Sequence, residues 1–296
     1  MQQTELEVSE YVCVTKVSCG SARESGGFAF AAAVNEAAAK GAALRGAWIK
    51  IMLPDSTFKS RMNGMRKFMK KLSEEAGIGT AEIEAGFNPA LKCPMTIVTV
   101  YGQGNATPRR QTASWEKANR KGGEIVQAGW LGLAGTLYIL EEKEEELSAR
   151  FTRTFLGQIR SYRSQIFADK KIEAAIGGGA GLIRQADEGG ILAALHYLAQ
   201  DAGTGLSVDM KKMFVKQETI EVCEHFRLNP YQLMSAGCFL AVADDGEALA
   251  ARFRQEGMEA AVIGRLTDNH DKIITNGEEF RYVDRPAPDE WMKIWI

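Results

Sequence analysis

The chain of 296 residues is long enough for about two domains, and its 45% hydrophobic and 25% charged residues are typical of a globular protein. A formal net charge of -2 argues against nucleic acid or an acidic membrane as the main partner, and no uncharged run reaches the roughly 18 residues of a membrane-spanning helix. Residues 1–10 are too polar and acidic for a signal peptide, and five scattered cysteines predict reduced thiols, so we expect a cytoplasmic protein that binds neither nucleic acid nor membrane.

Alternating and helical patterns predict the elements of the first part of the chain. Strands are predicted at 11–18, 46–53, 80–86 and 95–102, and an alanine-rich helix at 27–43. A second helix follows Ser56, where apolar residues recur at steps of three, four and one: Phe58, Met62, Met65, Phe68, Met69 and Leu72. This spacing places them on one helical face, so the methionines are interpreted as core residues rather than a metal site.

The composition changes at 103–123, a polar, basic and turn-rich segment that is the best linker candidate. A second series of helices and strands follows it. The predicted elements are an opening segment at 124–140, helices across 141–168, a glycine cluster at 177–181, a helix from Gly189, a helix at 217–228, a strand at 238–243, a helix at 246–257, a strand at 260–267 and a hairpin turn at Asn276–Gly277. We therefore divide the chain into domains of residues 1–118 and 119–296.

Two glycine-rich stretches are the local candidates for a site: GGGAG at 177–181, and the adjacent Gly189 and Gly190. The first matches neither G-x-G-x-x-G nor G-x-x-x-x-G-K-[ST]. Glycines at a helix start either permit a tight turn and close packing or leave N–H groups open to a phosphate, and both interpretations remain open. No Ser-His-Asp, Cys-His or H-E-x-x-H arrangement is visible, so no catalytic residue is assigned.

Longer stretches carry a family resemblance. DEGGILAAL (187–195), the segment 204–243 and AAVIGRLTD (260–268) follow one another in an order that resembles the C-terminal domain of the AIR synthase (PurM-like) superfamily. Within that superfamily, the HypE-related hydrogenase maturation proteins are the most similar. AAVNEAAAKGA (32–42) resembles the family's "vnDlaamGA" helix, so the resemblance spans most of the chain.

The resemblance implies an α/β (α+β) fold with two domains. In this family an N-terminal half-barrel dimerises with its copy in a second subunit, and a C-terminal α/β domain follows. ATP then lies in a cleft, Mg²⁺ is held on its phosphates by aspartates, and the substrate is activated at a carbonyl or carboxamide oxygen. Positioning and neutralisation of phosphate charge provide most of the catalysis in such reactions.

The chain departs from the family pattern at the positions that carry this chemistry. Lysine stands near an expected aspartate in Thr15–Lys16–Val17, Glu36 replaces the aspartate after Asn35, and Gln185 replaces another in the segment 184–190. By the resemblance, the nucleotide-binding residues are Lys16, Asn35, Asn88, Gly177, Gly178, Gly179, Gly181, Arg184, Gln185, Gly189 and Gly190, and the metal ligands are Glu36 and Glu188. Lys16 and Arg184 would replace part of the missing metal charge.

Two functions follow from these departures. The first is a HypE-like enzyme that binds ATP or a phosphorylated ligand and activates a small metabolite or maturation substrate by phosphoryl transfer. The second is a dimeric scaffold or regulatory relative that keeps the fold without turnover. In both cases we expect a homodimer formed through the N-terminal domain, because the apolar strands there would leave open sheet edges in a monomer.

Overall fold

The computed structural model describes residues 11–104, 122–176 and 179–295, which form two β-sheets with helices packed against them. The first part of the chain forms β1 (Tyr11–Cys19), α1 (Gly26–Ala39), β2 (Ala42–Leu53), α2 (Lys59–Glu75), β3 (Thr80–Phe87) and β4 (Met95–Gly104). Its four strands lie in the order β1-β4-β2-β3, with β2 and β3 parallel and the other pairs antiparallel. Each strand and helix predicted for this part is present.

Two boundaries differ from the predicted ones. The first helix ends at Ala39 rather than at residue 43, because Gly41 has a φ of +73° and Ala42 already pairs with β4. Phe58 lies before the first residue of α2 and is 82% exposed, so its assignment to the buried face was wrong. Met65 and Met69 are buried as predicted. In the predicted linker, 103–104 belong to β4 and 105–121 lie outside the described residues.

The second part of the chain forms a seven-stranded sheet in the order β11-β10-β7-β9-β5-β8-β6, antiparallel except for the pair β7 and β10. Its strands are β5 (Glu124–Ala128), β6 (Ile183–Gln185), β7 (Leu206–Asp209), β8 (Phe239–Ala243), β9 (Ala260–Leu266), β10 (Lys272–Asn276) and β11 (Glu279–Tyr282). Its helices are α3 (Leu133–Glu142), α4 (Glu144–Arg150), α5 (Arg153–Ser161), α6 (Asp169–Ile176), α7 (Gly190–Ala202), α8 (Gln217–Phe226) and α9 (Gly246–Gln255). The predicted α/β (α+β) fold class is confirmed, as is the hairpin turn at Asn276–Gly277.

Helix α1 lies between the two sheets and joins their cores. Its small alanines are buried on nearly every side of the helix, as expected for a helix with neighbours all around it. Phe30 packs in the core of the first sheet, Phe28 packs with Tyr138 of α3, and Ala38 packs with the core of the second sheet. Residues on β1, α1 and the β6–α7 loop therefore meet at one cleft. Among the described residues, no helix is both long and apolar enough to cross a membrane.

Candidate functional site

Three charged side chains from separate segments meet in the cleft beside α1. Lys16 of β1 places its Nζ 2.6 Å from Glu36 Oε2 on α1 and 2.9 Å from Asp187 Oδ2 in the β6–α7 loop. Lys40 binds the other oxygen of Glu36, Oε1, at 2.9 Å. The side chains of Lys16, Glu36 and Asp187 are 25%, 28% and 14% exposed, so the cluster is only partly open to solvent.

The electrostatic surroundings of the cluster favour the ionised forms of Lys16 and Glu36. Burial opposes the charge of Lys16, but Asp187 and Glu36 outweigh it and raise the pKa of the ammonium above its ordinary value. Burial likewise opposes the charge of Glu36, but Lys16 and Lys40 outweigh it and lower the pKa of that carboxyl. Lys16 and Glu36 are therefore ionised near neutral pH.

Two cavities open on either side of the Lys16–Asp187 pair, and Glu188 lines both. The polar cavity, of about 460 Å³, is also lined by Glu36, Arg184 and Tyr197. The aromatic cavity, of about 300 Å³, is also lined by Ser18, Phe28, Tyr138, Met234 and Trp291. A charged compartment and an apolar compartment thus share one boundary.

Ser18 is the unusual polar group of the aromatic cavity. It is 9% exposed, and its Oγ has no hydrogen-bond partner among the described residues. The neighbouring Tyr138 hydroxyl, by contrast, donates to Cys19 O at 2.6 Å and accepts from Trp295 Nε1 at 3.2 Å. Because buried hydroxyls in proteins are nearly always hydrogen-bonded, the Ser18 hydroxyl can bond to a water molecule or to a ligand in this cavity.

The backbone conformation and packing at the start of α7 explain why residues 189 and 190 are both glycine. Gly189 and Gly190 have φ angles of +78° and +64°, and a Cβ on Gly190 would lie 2.5 Å from the carbonyl oxygen of Tyr231. A tight turn and close packing therefore require glycine here. The N–H of Gly189 is also paired, since it donates to Asp289 Oδ2 at 2.7 Å.

The group at the start of this helix is thus the carboxyl of Asp289, which the chain itself supplies. Its Oδ1 accepts from the N–H groups of Met234 and Trp291, both at 3.1 Å, and the residue is 2% exposed. Burial raises the pKa of Asp289 to about 7, although the three N–H groups oppose that shift. The helix dipole favours the ionised form in the same place.

Asn35 and Gln185 form a buried hydrogen-bond network, and Gln185 also lines the polar cavity. The Asn35 amide donates to Ile166 O at 2.8 Å and to Gln185 Oε1 at 3.0 Å, and its Oδ1 accepts from Ala168 N at 2.8 Å. Gln185 Nε2 donates to Ala32 O at 3.0 Å. These bonds join α1 to the second part of the chain directly beneath Glu36, so they position the cluster.

Arg184 lines the polar cavity but is already paired. Its guanidinium contacts Asp201, with an Nε–Oδ2 distance of 3.0 Å, and lies 5.2 Å from the centre of the Tyr197 ring. It would have to leave Asp201, or be shared with it, to contact a ligand.

The remaining predicted residues lie elsewhere or outside the described residues. Gly177 and Gly178 are not described. Gly181 donates its N–H to Val242 O at 2.8 Å, and Asn88 occupies the turn after β3, where its Oδ1 accepts from Ala90 N at 3.0 Å. Gly179, Gly181 and Asn88 line neither cavity. The residues brought together at the cavities are therefore Lys16, Glu36, Arg184, Gln185 and Glu188.

The carboxylates here do not form a resident Mg²⁺ site. Within the described ranges, no group of three or more His, Cys, Asp or Glu side chains is placed to hold a metal ion. Glu36 is held by two lysines, and Glu188 is exposed. Because Mg²⁺ requires several oxygen ligands in octahedral geometry, these residues do not fit the ion in the free protein.

Sequence reasoning missed three residues of the site. Asp187 was passed over in favour of its neighbour Glu188, although it is Asp187 that binds Lys16. Ser18 carried no signal, since a serine in a strand is unremarkable until its burial is known. Asp289 lies 100 residues from Gly189 in the chain, and only the fold brings the two together.

Comparison with known proteins identifies the class. The family described as "AIR synthase related protein, C-terminal domain" matches residues 120–276, which is more than half of the chain. The chain belongs to this family of AIR synthase related proteins.

Within the family, the chain is similar to HypE proteins. It is 27% identical over 251 residues to a carbamoyl dehydratase HypE from Rhodobacter capsulatus, covering 83% of this chain and 70% of that protein. A crystal structure of HypE in complex with ATP matches with a TM-score of 0.76 at 17% identity, covering 99% and 89% of the two chains. A ThiL structure with AMPPCP and TMP matches with a TM-score of 0.67 at 16% identity, covering 96% and 87%. The predicted superfamily and its HypE-related branch are confirmed.

Proposed function

We propose that this protein binds ATP or another phosphorylated ligand in the polar cavity and activates a small metabolite or maturation substrate by phosphoryl transfer. The observation that carries the proposal is the pair of cavities that meet at Lys16, Asp187 and Glu188. The ATP complex of the structurally similar HypE supports the nucleotide as ligand. Scattered free cysteines support the expected cytoplasmic location.

The polar cavity would hold the phosphates. Its lining contains the cations Lys16 and Arg184 and the anions Glu36, Asp187 and Glu188. Since the anions are in excess, a phosphate group would have to displace Asp187 from Lys16 or arrive with its own cation. Any Mg²⁺ in the reaction would come with the nucleotide phosphates, with exposed Glu188 as the available carboxylate.

The aromatic cavity would hold the acceptor. A volume of about 300 Å³ is at the small end for ligand sites, which fits a metabolite rather than a second nucleotide. Ser18 would orient a carbonyl or carboxamide oxygen towards the shared boundary. A carboxamide oxygen would attack the γ-phosphorus of ATP while the amide nitrogen releases a proton to solvent; a new P–O bond forms, the bond from the γ-phosphorus to the bridging oxygen breaks, and ADP leaves.

The homodimer is proposed through the outward face of the first sheet. Tyr11 and Val17 on β1 are 76% and 54% exposed, and Trp48 on β2 and Tyr101 on β4 are 38% and 40% exposed. β1 is also an edge strand, so the sheet is an open half that a second copy would extend. Sedimentation velocity of Trp48→Glu should then show a monomer where the wild type is a dimer; a wild-type monomer at micromolar concentration contradicts the proposal.

A non-catalytic scaffold is the second candidate. One observation favours it: Lys16, a cation of the cleft, is already paired with the chain's own Glu36 and Asp187. A site that satisfies its own charges gains less from a ligand, and a relative that has lost turnover would have this arrangement.

Thermal unfolding with ligand tests the binding proposal. ATP or pyrophosphate at about 100 times its dissociation constant should add roughly 2.7 kcal/mol of stability, which raises the melting temperature on the order of 5 °C. Arg184→Ala should reduce the shift, whereas Arg265→Ala, a surface arginine that lines neither cavity, should leave it unchanged. No shift in the wild type with ATP, ADP or pyrophosphate, with or without Mg²⁺, would contradict the proposal.

Turnover separates the two candidates. ATP hydrolysis is measured alone and with a panel of small carbonyl and carboxamide compounds. Stimulation by any compound removes the scaffold, and a thermal shift without turnover under any condition favours it.

A further inference from the structure

The Lys16 ammonium occupies the position between two carboxylates that come from different parts of the fold. Its distances to Glu36 and Asp187 are 2.6 and 2.9 Å, so the two carboxylate oxygens lie no more than about 5.5 Å apart. These two carboxylates belong to α1 and to the β6–α7 loop, and Lys16 to β1. One cation therefore connects three segments, as a bound metal ion would.

In the protein without nucleotide, Lys16 is the counterion of both carboxylates. The carboxylates on either side outweigh the effect of burial on its charge, and 75% of its side chain is shielded from solvent, since 25% is exposed. Without the ammonium, Glu36 and Asp187 would face each other as two partly buried anions, with Glu188 next in the chain. Two or three carboxylates at such separations attract a hard divalent cation, because oxygen ligands at about 2.0–2.6 Å are what Mg²⁺, Mn²⁺ or Ca²⁺ requires.

We propose that the ammonium of Lys16 is the built-in cation of this cleft. The free protein accordingly holds no divalent metal there, and removal of the ammonium converts Glu36 and Asp187, with Glu188 beside them, into a divalent-cation site. The inference concerns the protein without nucleotide, so it stands or fails independently of the proposed function.

Binding of Mn²⁺ alone tests the inference. Free and bound Mn²⁺ are separated by electron paramagnetic resonance in titrations of the wild type, Lys16→Met and Lys40→Met. Lys40 is the matched control, because it also binds Glu36 but is 50% exposed and does not touch Asp187. We expect Lys16→Met to gain one site at least tenfold tighter than any site in the wild type or in Lys40→Met. Adding Glu36→Gln to Lys16→Met should remove it.

Two results would overturn the inference. One is a wild type that binds Mn²⁺ at this cleft as tightly as Lys16→Met does, with the binding abolished by Glu36→Gln. The other is a folded Lys16→Met that gains no site. Lys16→Gln is run in parallel, so that both comparisons can still be made if Lys16→Met does not fold.

Discussion

The buried carboxyl of Asp289 makes a prediction about pH that can be worked out from the structure. Burial raises its pKa to about 7 in the folded protein, against 3.8 for an exposed aspartate. Between these two values the folded state keeps a proton that the unfolded state has released. Stability therefore falls as the pH rises through this window. A difference of about three pKa units between the folded and unfolded states corresponds to a change of roughly 4 kcal/mol in the free energy of unfolding.

Asp289→Asn isolates this effect, because asparagine does not titrate. The variant loses at least one hydrogen bond, since the carboxylate uses both oxygens to accept from Gly189, Met234 and Trp291 while an amide offers a single oxygen. That loss costs about 1–3 kcal/mol and does not depend on pH. In addition to this constant difference, the free energy of unfolding of the wild type should fall by about 4 kcal/mol relative to that of the variant between about pH 4 and pH 8.

The assay is urea unfolding of both proteins across that pH range, with the free energy of unfolding taken by linear extrapolation. The other carboxyl groups titrate in both proteins and cancel in the difference. Asp245→Ala is the control for loss of a helix-cap bond, because Asp245 caps α9 on the surface by accepting from Ala248 N at 2.9 Å and alanine cannot accept that bond. A wild-type advantage that stays constant or grows with pH would refute the reasoning, since it would mean that burial does not dominate at Asp289.

Three further predictions concern stability. Gly190→Ala should destabilise the fold by about 1–3 kcal/mol in urea unfolding, because its Cβ would lie 2.5 Å from Tyr231 O at a φ of +64°; wild-type stability would refute this. Asn35→Leu should cost about 3 kcal/mol or more by the same assay, since it leaves Ala168 N and Ile166 O unpaired in the core, and a loss below about 1 kcal/mol would contradict the buried network. Ser18→Ala should leave the free energy of unfolding unchanged or slightly raised, because the Ser18 Oγ has no protein partner among the described residues. The same variant should remove any thermal shift caused by the acceptor. A clear loss of stability would mean that the hydroxyl is already hydrogen-bonded.

The fold was largely accessible from the sequence because its long elements have strong periodic patterns. The alternation in β1 and the buried run of β8 predict strands wherever they occur, and the alanine-rich α1 predicts close packing. Short strands were missed. β6 has three residues and β7 has four, too few for a period to be visible, and each is a strand only because a neighbour pairs with it.

Only part of the site could be predicted from the sequence, because the tertiary structure determines which charged side chains pair. Lys16, Glu36 and Arg184 could be named from their positions in family-like segments. That Lys16 binds Asp187, and that Arg184 binds Asp201, could not be read from local sequence, since several acidic residues lie within reach of each along the chain. The Gly189–Gly190 pair shows the same limit: the structure supports the close-packing interpretation, whereas the Gly189 N–H that was expected to meet a phosphate donates to Asp289.

Occupied charges constrain any ligand of this cleft. A phosphate that approaches Lys16 must compete with the carboxylates of Glu36 and Asp187, which lie 2.6 and 2.9 Å from its Nζ. At the start of α7, the N–H of Gly189 is already hydrogen-bonded to Asp289. The free energy gained from the new contact is reduced by the contact that is lost, so a bare anion should bind weakly. A ligand that carries a metal cation on its phosphates is different. Its phosphate can bind Lys16 while its cation binds the carboxylate of the displaced Asp187. The arrangement thus favours a metal-bound nucleotide over free phosphate, and comparison of the thermal shifts from pyrophosphate with and without Mg²⁺ measures that preference directly.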